Sequence, residues 1–551
     1  MKKIDLGVVV TTLIIVTISC SLAFFAARIV GKPKDINLVA KNVAITFTDT
    51  SSIADETISP GWNNVKTFTI TNNSKEDFNY NILLKGLVNT FESINTLQYK
   101  ITSDTGYNMD NYLNIVKTEN SKDVVLAYDV VIPKGSKQTY QVEFKYISID
   151  EDQSSDMGKR LGGTLAIEES TGKPKIYDKL LSDNPTIKTR TDFSTTFTET
   201  NVNTLYKAKE SIAGSTPKDV YYFAGGALNN WVKFGKWQED RKEVYGYDSS
   251  LSLGKKYTSL YECQNATEYN NGCEEKIIAN KGAPMYWKIM RTTENSGIKL
   301  LYFGTSIITT EGYIGLDVYS NKSEVDPMWV GYMYGTSGSL VNNRTNENSS
   351  TIKTYLENWF STNIFNYQNY IDNNGIFCND RDLASNQNYI IYDWMYHAAY
   401  ERLEKKKNPT YNCNNISDQF SQKNSNKGNK TLNYAVGLMT ADEIIYAGGK
   451  DSNAEDSLKP YLWYYANSSF ESSTNTKSWW TMTPYSGQPT FYGNGAGLYG
   501  VAGGTEYGRL GQPTQTNYNL MAVRPVINIK GNNIWKSGDG SSSNPYEIVT
   551  E

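Results

Sequence analysis

Histidine is nearly missing from this chain: His397 is the one histidine in 551 residues. That excludes a His-rich zinc site, an HExxH metalloprotease and a facial-triad iron centre, each of which needs at least two imidazoles. Cysteine is also scarce, with five residues and no CxxC spacing, so a four-cysteine zinc site lacks its usual arrangement. An excess of base is missing too. With 54 Lys and Arg against 58 Asp and Glu the formal charge is -4, which leaves no basic footprint to neutralise phosphates and excludes nucleic acid as the expected partner. Charged residues make up 20% and hydrophobic residues 39%, enough apolar surface for folded domains, and the length calls for more than one of them. What is abundant is tyrosine, 41 residues against 18 Phe and 11 Trp. Tyr together with Asn, Ser and Thr is the chemistry of wet, adaptable contact surfaces.

Residues 1–35 are expected to form a cytoplasmic stub and a transmembrane signal anchor. After Lys2, Lys3 and Asp5 the chain carries no charge from Leu6 to Ala27, a helix of roughly 33 Å against a hydrocarbon core of ~30 Å. No A-x-A-like cleavage site closes the run, and Cys20 follows Thr17-Ile18-Ser19, a poor match to a lipobox. Positive charges stand on both sides of it, at Lys2 and Lys3 and at Arg28, Lys32 and Lys34, so charge alone does not orient the segment. The remaining cysteines, Cys263, Cys273, Cys378 and Cys413, form an even set behind an export segment, which points to two disulfides outside the cell. Order along the chain favours Cys263 with Cys273 and Cys378 with Cys413, other connectivities staying open. A single-pass cell-membrane protein with its bulk outside is the resulting expectation.

Residues 36–170 have a period of two. Val43, Ile45 and Phe47 alternate with Ala44, Thr46 and Thr48; Val124, Leu126, Tyr128, Val130 and Ile132 make one face; after Pro133-Lys134-Gly135, Tyr140, Val142, Phe144 and Tyr146 alternate with Gln141, Glu143 and Lys145. Several such strands bury their apolar rows by packing as an all-β sandwich. The run Ile58-Ser59-Pro60-Gly61 followed by Val65-Lys66-Thr67-Phe68-Thr69-Ile70-Thr71-Asn72-Asn73 resembles the camelysin and TasA-type exported proteins. That resemblance implies a jelly-roll-like sandwich of a kind that includes biofilm fibre subunits.

Residues 171–217, with Thr-Gly-Lys-Pro, a Thr/Ser-rich stretch and Ser215-Thr216-Pro217, read as a linker holding one short helix near 176–181. From 218 to 551 an α+β domain is expected. Strands are placed at 220–223, 231–234, 287–291 and 299–303, the last two joined as a hairpin through Asn295-Ser296-Gly297. Ile352, Tyr355, Leu356, Trp359 and Phe360 have the stripe of a core-facing helix, a second helix is expected over 391–405, and Thr440-Ala441-Asp442-Glu443 is a capping box. Strands at 524–529 and 546–549 close the domain. The segments Gly437-Leu438-Met439-Thr440-Ala441-Asp442-Glu443, Trp479-Trp480-Thr481-Met482-Thr483-Pro484 and Val523-Arg524-Pro525-Val526-Ile527-Asn528-Ile529 resemble bacterial surface domains of the C-type-lectin-like fold, and more distantly the sulfatase-modifying-factor, or formylglycine-generating, group. Two departures limit what that implies. No cysteine follows Cys413, so oxidase chemistry is not carried over; Gln488-Pro489-Thr490 and Gln512-Pro513-Thr514 lack the carboxylate of calcium-dependent sugar sites. No cofactor or metal is expected.

Gly495-Ala496-Gly497-Leu498-Tyr499-Gly500 matches GxGxxG, but neighbouring glycines oppose a helix start and the segment reads as an irregular loop. Its aromatic and polar residues, Tyr485, Tyr492, Asn494, Tyr499, Tyr507 and Arg509, over a floor at Trp480, are the expected ligand-binding surface, with self-packing of the loop as the alternative. His397 is expected inside a helix, without a nucleophile to serve. Asp380, Asp382, Asp442 and Glu443 are the carboxylates available for glycoside hydrolysis. The expected function is non-catalytic binding of an extracellular glycan, cell-wall or protein ligand. A matrix or fibre subunit and a surface glycoside hydrolase are the alternatives.

Overall fold

The computed structural model describes residues 36–550 except 41–42, 50–57, 94–95, 151, 196, 201–202, 213, 249–252, 267–271, 308–311, 321–324, 392, 424–426, 451–461, 466–477, 488–496, 502–509, 512–513 and 517–519. The expected membrane anchor lies outside the described residues, among which no helix is long and apolar enough to cross a membrane. Strand outweighs helix among the described residues, 40% to 15%. The chain divides into two compact units: one comprises residues up to Pro174, Asp178–Thr186 and Ile534–Asp539, the other Lys175–Tyr177, Ile187–Asn533 and Gly540–Glu551.

The first unit contains strands β1 (Ile36–Ala40), β2 (Val43–Asp49), β3 (Asn63–Asn72), β4 (Phe78–Asn89), β5 (Leu97–Ser103), β6 (Leu113–Asn114), β7 (Thr118–Ile132), β8 (Lys137–Tyr146) and β9 (Leu161–Glu169). They form two sheets, ordered β1-β2-β3-β8-β5-β6 and β7-β4-β9. Both give side chains to one core: Phe68, Ile70 and Tyr140 from the first, Tyr80, Ile82, Leu126 and Leu165 from the second. This is the sandwich that the alternation requires, since an antiparallel sheet with one apolar face must cover it. In β8, Tyr140, Val142, Phe144 and Tyr146 are all buried and the residues between them are not.

Two details of this unit are not given by the alternation. The connection at 133–136 joins strands of different sheets: β7 pairs with β4, whereas β8 pairs with β3 and β5. The face assigned to β7 is also interrupted. Tyr80 lies opposite Val130 but Ile82 lies opposite Ala127, which leaves two residues of β7 facing one of β4, a bulge. Asp129 takes a φ of 54°, and its N–H donates to Asn81 Oδ1 at 3.0 Å. Tyr128 thereby leaves the sandwich core and meets Trp535 edge to face at 5.3 Å, with Lys179 Nζ 5.0 Å from the Trp535 ring. From the same returning segment Asp539 Oδ2 accepts from Asn114 N and Nδ2, each at 3.0 Å.

In the second unit the main sheet is built on β10 (Ile187–Thr189), β11 (Leu205–Glu210), β12 (Lys218–Tyr222), β13 (Trp231–Lys236), β17 (Pro284–Thr292) and β18 (Ile298–Gly304), numbered past the small sheet β14 (Arg241–Asp248), β15 (Leu253–Tyr257) and β16 (Cys273–Ala279). Its order is β10-β11-β12-β17-β18, then Val526–Ile529 and Val436–Gly437, with β13 also on β17. The stretch expected as a linker thus supplies the helix Ile176–Asp183 and two strands, β11 pairing with β12 so that Tyr206 faces Tyr222. The β17–β18 hairpin forms as expected, with Ser296 at a φ of 61° in its turn. The helix Thr351–Asn363 is capped by Ser350 and buries Ile352, Leu356, Trp359 and Phe360. The helix expected over 391–405 does not form as one element. A two-residue strand, Met395–Tyr396, precedes a single turn at Ala398–Tyr400 and a π-turn at Glu401–Lys405. Both expected disulfides are present, Cys263–Cys273 and Cys378–Cys413.

Candidate functional site

The strand Trp479–Gly487 is buried along its whole length and distributes its side chains to three places. Trp480 is fully buried, donates from Nε1 to Asp317 O at 2.8 Å and meets Tyr319 edge to face, so it belongs to the core rather than to a binding floor. Thr483 faces a charged cavity. Tyr485 stands 4.8 Å from Tyr499 in a T-shaped contact, and Tyr499, fully buried, donates from its hydroxyl to Glu404 Oε1 at 3.2 Å. The structure therefore brings together Tyr485 and Tyr499 of the expected site and separates Trp480 from them. Tyr492, Asn494, Tyr507 and Arg509 lie outside the described residues.

The aromatic series continues from Tyr485 outward through residues that were expected to sit in a helix. Tyr396 pairs with Ser486 across the short strand, and His397 N donates to Tyr485 O at 2.9 Å, which fixes Tyr396 beside Tyr485, ring centroids 6.0 Å apart. Trp394, two residues earlier on the same side of an extended segment, lies 6.4 Å from Tyr396 at a tilt of 34°. Tyr400, four residues later, stacks on Tyr396 at 4.1 Å and 18° and meets Tyr485 at 5.4 Å, while Lys405 Nζ sits 5.1 Å from the Tyr400 ring. Exposure is graded along the series. Trp394 is 43% exposed, Tyr396 and Tyr400 are half-buried, and Tyr485 and Tyr499 are buried. Burial raises the phenol pKa of Tyr396, Tyr485 and Tyr499, so all three remain hydrogen-bond donors at neutral pH.

This ledge has the form of a stacking platform with a fixed base. A two-residue strand followed by a helical turn places rings i, i+2 and i+6 on one side, and neither a pure strand nor a pure helix would. The spacing Trp394-x-Tyr396-x-x-x-Tyr400 was the available signal, and the helical reading of 391–405 concealed it.

On the other side of the strand, Thr483, Thr440, Thr410 and Asn412 line a cavity together with Glu210, Arg291, Lys299, Asp380, Arg402, Asp442 and Glu443. Its free volume of about 30 Å³ admits about two waters. Arg402 clamps Asp442 with two bonds of 2.8 Å and reaches Asp380 at 3.0 Å; Glu443 accepts from Lys299 at 2.9 Å and Arg291 at 3.0 Å; Arg291 also pairs with Glu210 at 2.8 Å. The capping box forms as expected, so Glu443 serves the helix start and the ion network at once. Burial pushes Asp380 up to about 6, whereas against burial Lys299 and Arg291 hold Glu443 down at about 2.

Asp382 pairs with Arg344 at 2.7 Å, so each of the four carboxylates considered for hydrolysis is committed to a cation. Asp380, Asp382 and Asp418 bring oxygens within 4.8 Å of one another, but Arg344, Arg381 and Arg402 already compensate them, which removes the charge advantage of a bound cation. His397 is not inside a helix. It occupies the extended position before the 398–400 turn, is 1% exposed, and lies 3.2 Å from Arg381 O through Nδ1. Burial lowers its pKa to about 4.

No protein-family model matches the chain, and no curated protein matches it in sequence. Among solved structures, a similar chain is AvmM, which catalyses macrocyclization in alchivemycin A biosynthesis; it is 10% identical, the match covering 26% of this chain and 98% of that one, with a TM-score of 0.15. A likeness at that level carries no argument about fold or activity.

Proposed function

We propose that this is a membrane-anchored cell-surface protein whose second unit, folded in a C-type-lectin-like manner, binds an extracellular glycan without catalysis on the ledge Trp394, Tyr396 and Tyr400. The observation that carries this reading is the graded ring series, in which an exposed indole lies beside Tyr396, the half-exposed Tyr396 and Tyr400 stack on each other and rest on Tyr485, and Tyr485 is backed by buried Tyr499. Rigid aromatic faces bind sugar rings at a small cost in conformational entropy, and the phenol hydroxyls meet the polar edge of such a ligand. Two disulfides fit an oxidising compartment, in keeping with the uncharged run at 6–27. The first unit serves as a β-sandwich spacer, jelly-roll-like in outline.

The test is a glycan and cell-wall-fragment array probed with the full-length chain beside a Trp394→Ala, Tyr396→Ala variant. Loss of each ring is expected to weaken binding by about tenfold, in line with an aromatic contact of ~1 kcal/mol or more. Equal binding by the folded double variant would move the site elsewhere on the unit. Absence of any glycan or cell-wall ligand would return weight to the matrix-subunit reading.

A further inference from the structure

Lys288 has an environment unlike that of three other buried lysines among the described residues. Lys179, Lys299 and Lys353 each keep a carboxylate in contact, Asp183 at 2.6 Å, Glu443 at 2.9 Å and Glu357 at 2.8 Å. Lys288 is 4% exposed and, among the described residues, its Nζ has one hydrogen-bond partner, the side-chain amide oxygen of Asn230 at 3.1 Å. The rest of its surroundings are aromatic. Nζ stands 3.7 Å from the Trp231 ring and 5.4 Å from Phe303, and these two rings meet edge to face at 4.9 Å. An ammonium with most of its donors turned toward carbon is costly, and burial accordingly pushes the pKa of Lys288 well below the usual lysine value. That shift raises the share of Lys288 present as the free amine, the nucleophilic form.

Asn230 is held as firmly. It has no exposed surface, its Nδ2 donates to Ile289 O at 3.1 Å, and Ile289 N donates to its backbone oxygen at 2.7 Å. Trp231 and Lys288 face each other in the β13–β17 pair, and across that pair Lys288 Nζ reaches Asn230, the residue before Trp231. Well-aligned intramolecular pairs reach effective molarities of about 10⁵–10⁸ M, and holding Nζ within hydrogen-bond distance of the Asn230 amide supplies the proximity part of that advantage to an otherwise slow amine–amide exchange.

We infer that Lys288 and Asn230 join through an intramolecular isopeptide bond between Nζ and Cγ. The Nζ lone pair adds to Cγ, the Cγ–Nδ2 bond breaks, a proton released from Nζ passes to the departing nitrogen, and ammonia leaves. No oxidant, reductant or second substrate enters, and the neutral amine and neutral amide give neutral products. The bond would tie β13 to β17 beside the place where the C-terminal run joins the sheet, since Val232 bridges to Tyr546 and Trp231 N donates to Tyr546's neighbouring turn at Gly540 O. A cell-surface domain fastened there resists unravelling from its end.

Intact-mass measurement of the full-length chain, reduced and denatured, decides the matter. The cross-linked chain is expected about 17 Da below its sequence mass, and a tryptic digest is expected to contain residues 219–233 and 282–291 as one joined species. Asn230→Ala and Lys288→Met are each expected to restore the sequence mass. A wild-type chain of full sequence mass, with cleavage after Lys288 and a free 219–233 peptide, overturns the proposal whether or not the variants fold.

Discussion

His397 and Asp380 titrate against each other. The imidazole, lowered to about 4 from 6.5, prefers to stay neutral in the folded chain, so as pH falls from ~6.5 the unfolded state takes up the proton first and stability drops. The carboxyl, raised to about 6 from 3.8, does the reverse: the folded state takes up its proton first below about 6 and stability rises. The wild-type protein is therefore expected to change little in stability between pH ~7 and ~5 from this pair. In an Asp380→Asn variant the histidine acts alone, and urea unfolding is expected to show a loss of about 2 kcal/mol over that interval. A His397→Gln variant is expected to show no loss. Equal profiles for the two variants would refute the assignment.

Glu443 supports a second test at the same scale. It is the carboxylate partner of buried Lys299 and one of two for Arg291. Glu443→Gln leaves Lys299 buried without its counter-charge and is expected to cost about 3–5 kcal/mol, read as a lower denaturant midpoint. The Thr440–Glu443 capping box was legible because it is a local motif, whereas Arg291 and Lys299, more than a hundred positions earlier, carry no local mark of their partner.

Among elements, the helix Thr351–Asn363 has the clearest dependence on a single side chain. Ser350 Oγ accepts from Lys353 N at 3.2 Å and donates to Tyr332 O at 2.8 Å, joining the helix start to a neighbouring loop. Ser350→Ala is expected to lower stability by about 1–2 kcal/mol in thermal or chemical unfolding, and Ser350→Thr by less. That helix, the β17–β18 hairpin and the alternating face of β8 could be read from residue order because each rests on a periodicity within its own length. The route of 133–136 between two sheets could not, because the pattern states which side of a strand is apolar and not which strand it meets. The segment 391–405 misled for a related reason. His397 and its neighbours change from extended to helical backbone within two residues, and no single period describes that change.

At the scale of the molecule, the two disulfides are expected to differ in weight. Cys378–Cys413 closes the longer loop, 35 against 10 residues apart, and the chain-entropy argument assigns about 4 kcal/mol to it and about 3 kcal/mol to Cys263–Cys273. Serine replacement of each pair, followed by thermal unfolding, is expected to rank them in that order, and the reverse ranking would show that strain or residual structure dominates. The pairing was foreseeable from the order of four cysteines. The composition of the units was not, because a boundary read from Pro, Gly and Ser content assumes a contiguous segment, and here Ile534–Asp539 completes a unit that begins before Pro174.

That return has a consequence for synthesis. Trp535 on Tyr128 and Lys179, and Asp539 on Asn114, reach the first unit only after residues 187–533 have been made. At about 5–20 residues per second the delay is roughly 20–70 s. During that interval the sandwich stands with the half-buried face of Tyr128 uncovered, a window in which a nascent chain is open to chaperones and to proteases, and which a ribosome stalled near residue 533 would hold open.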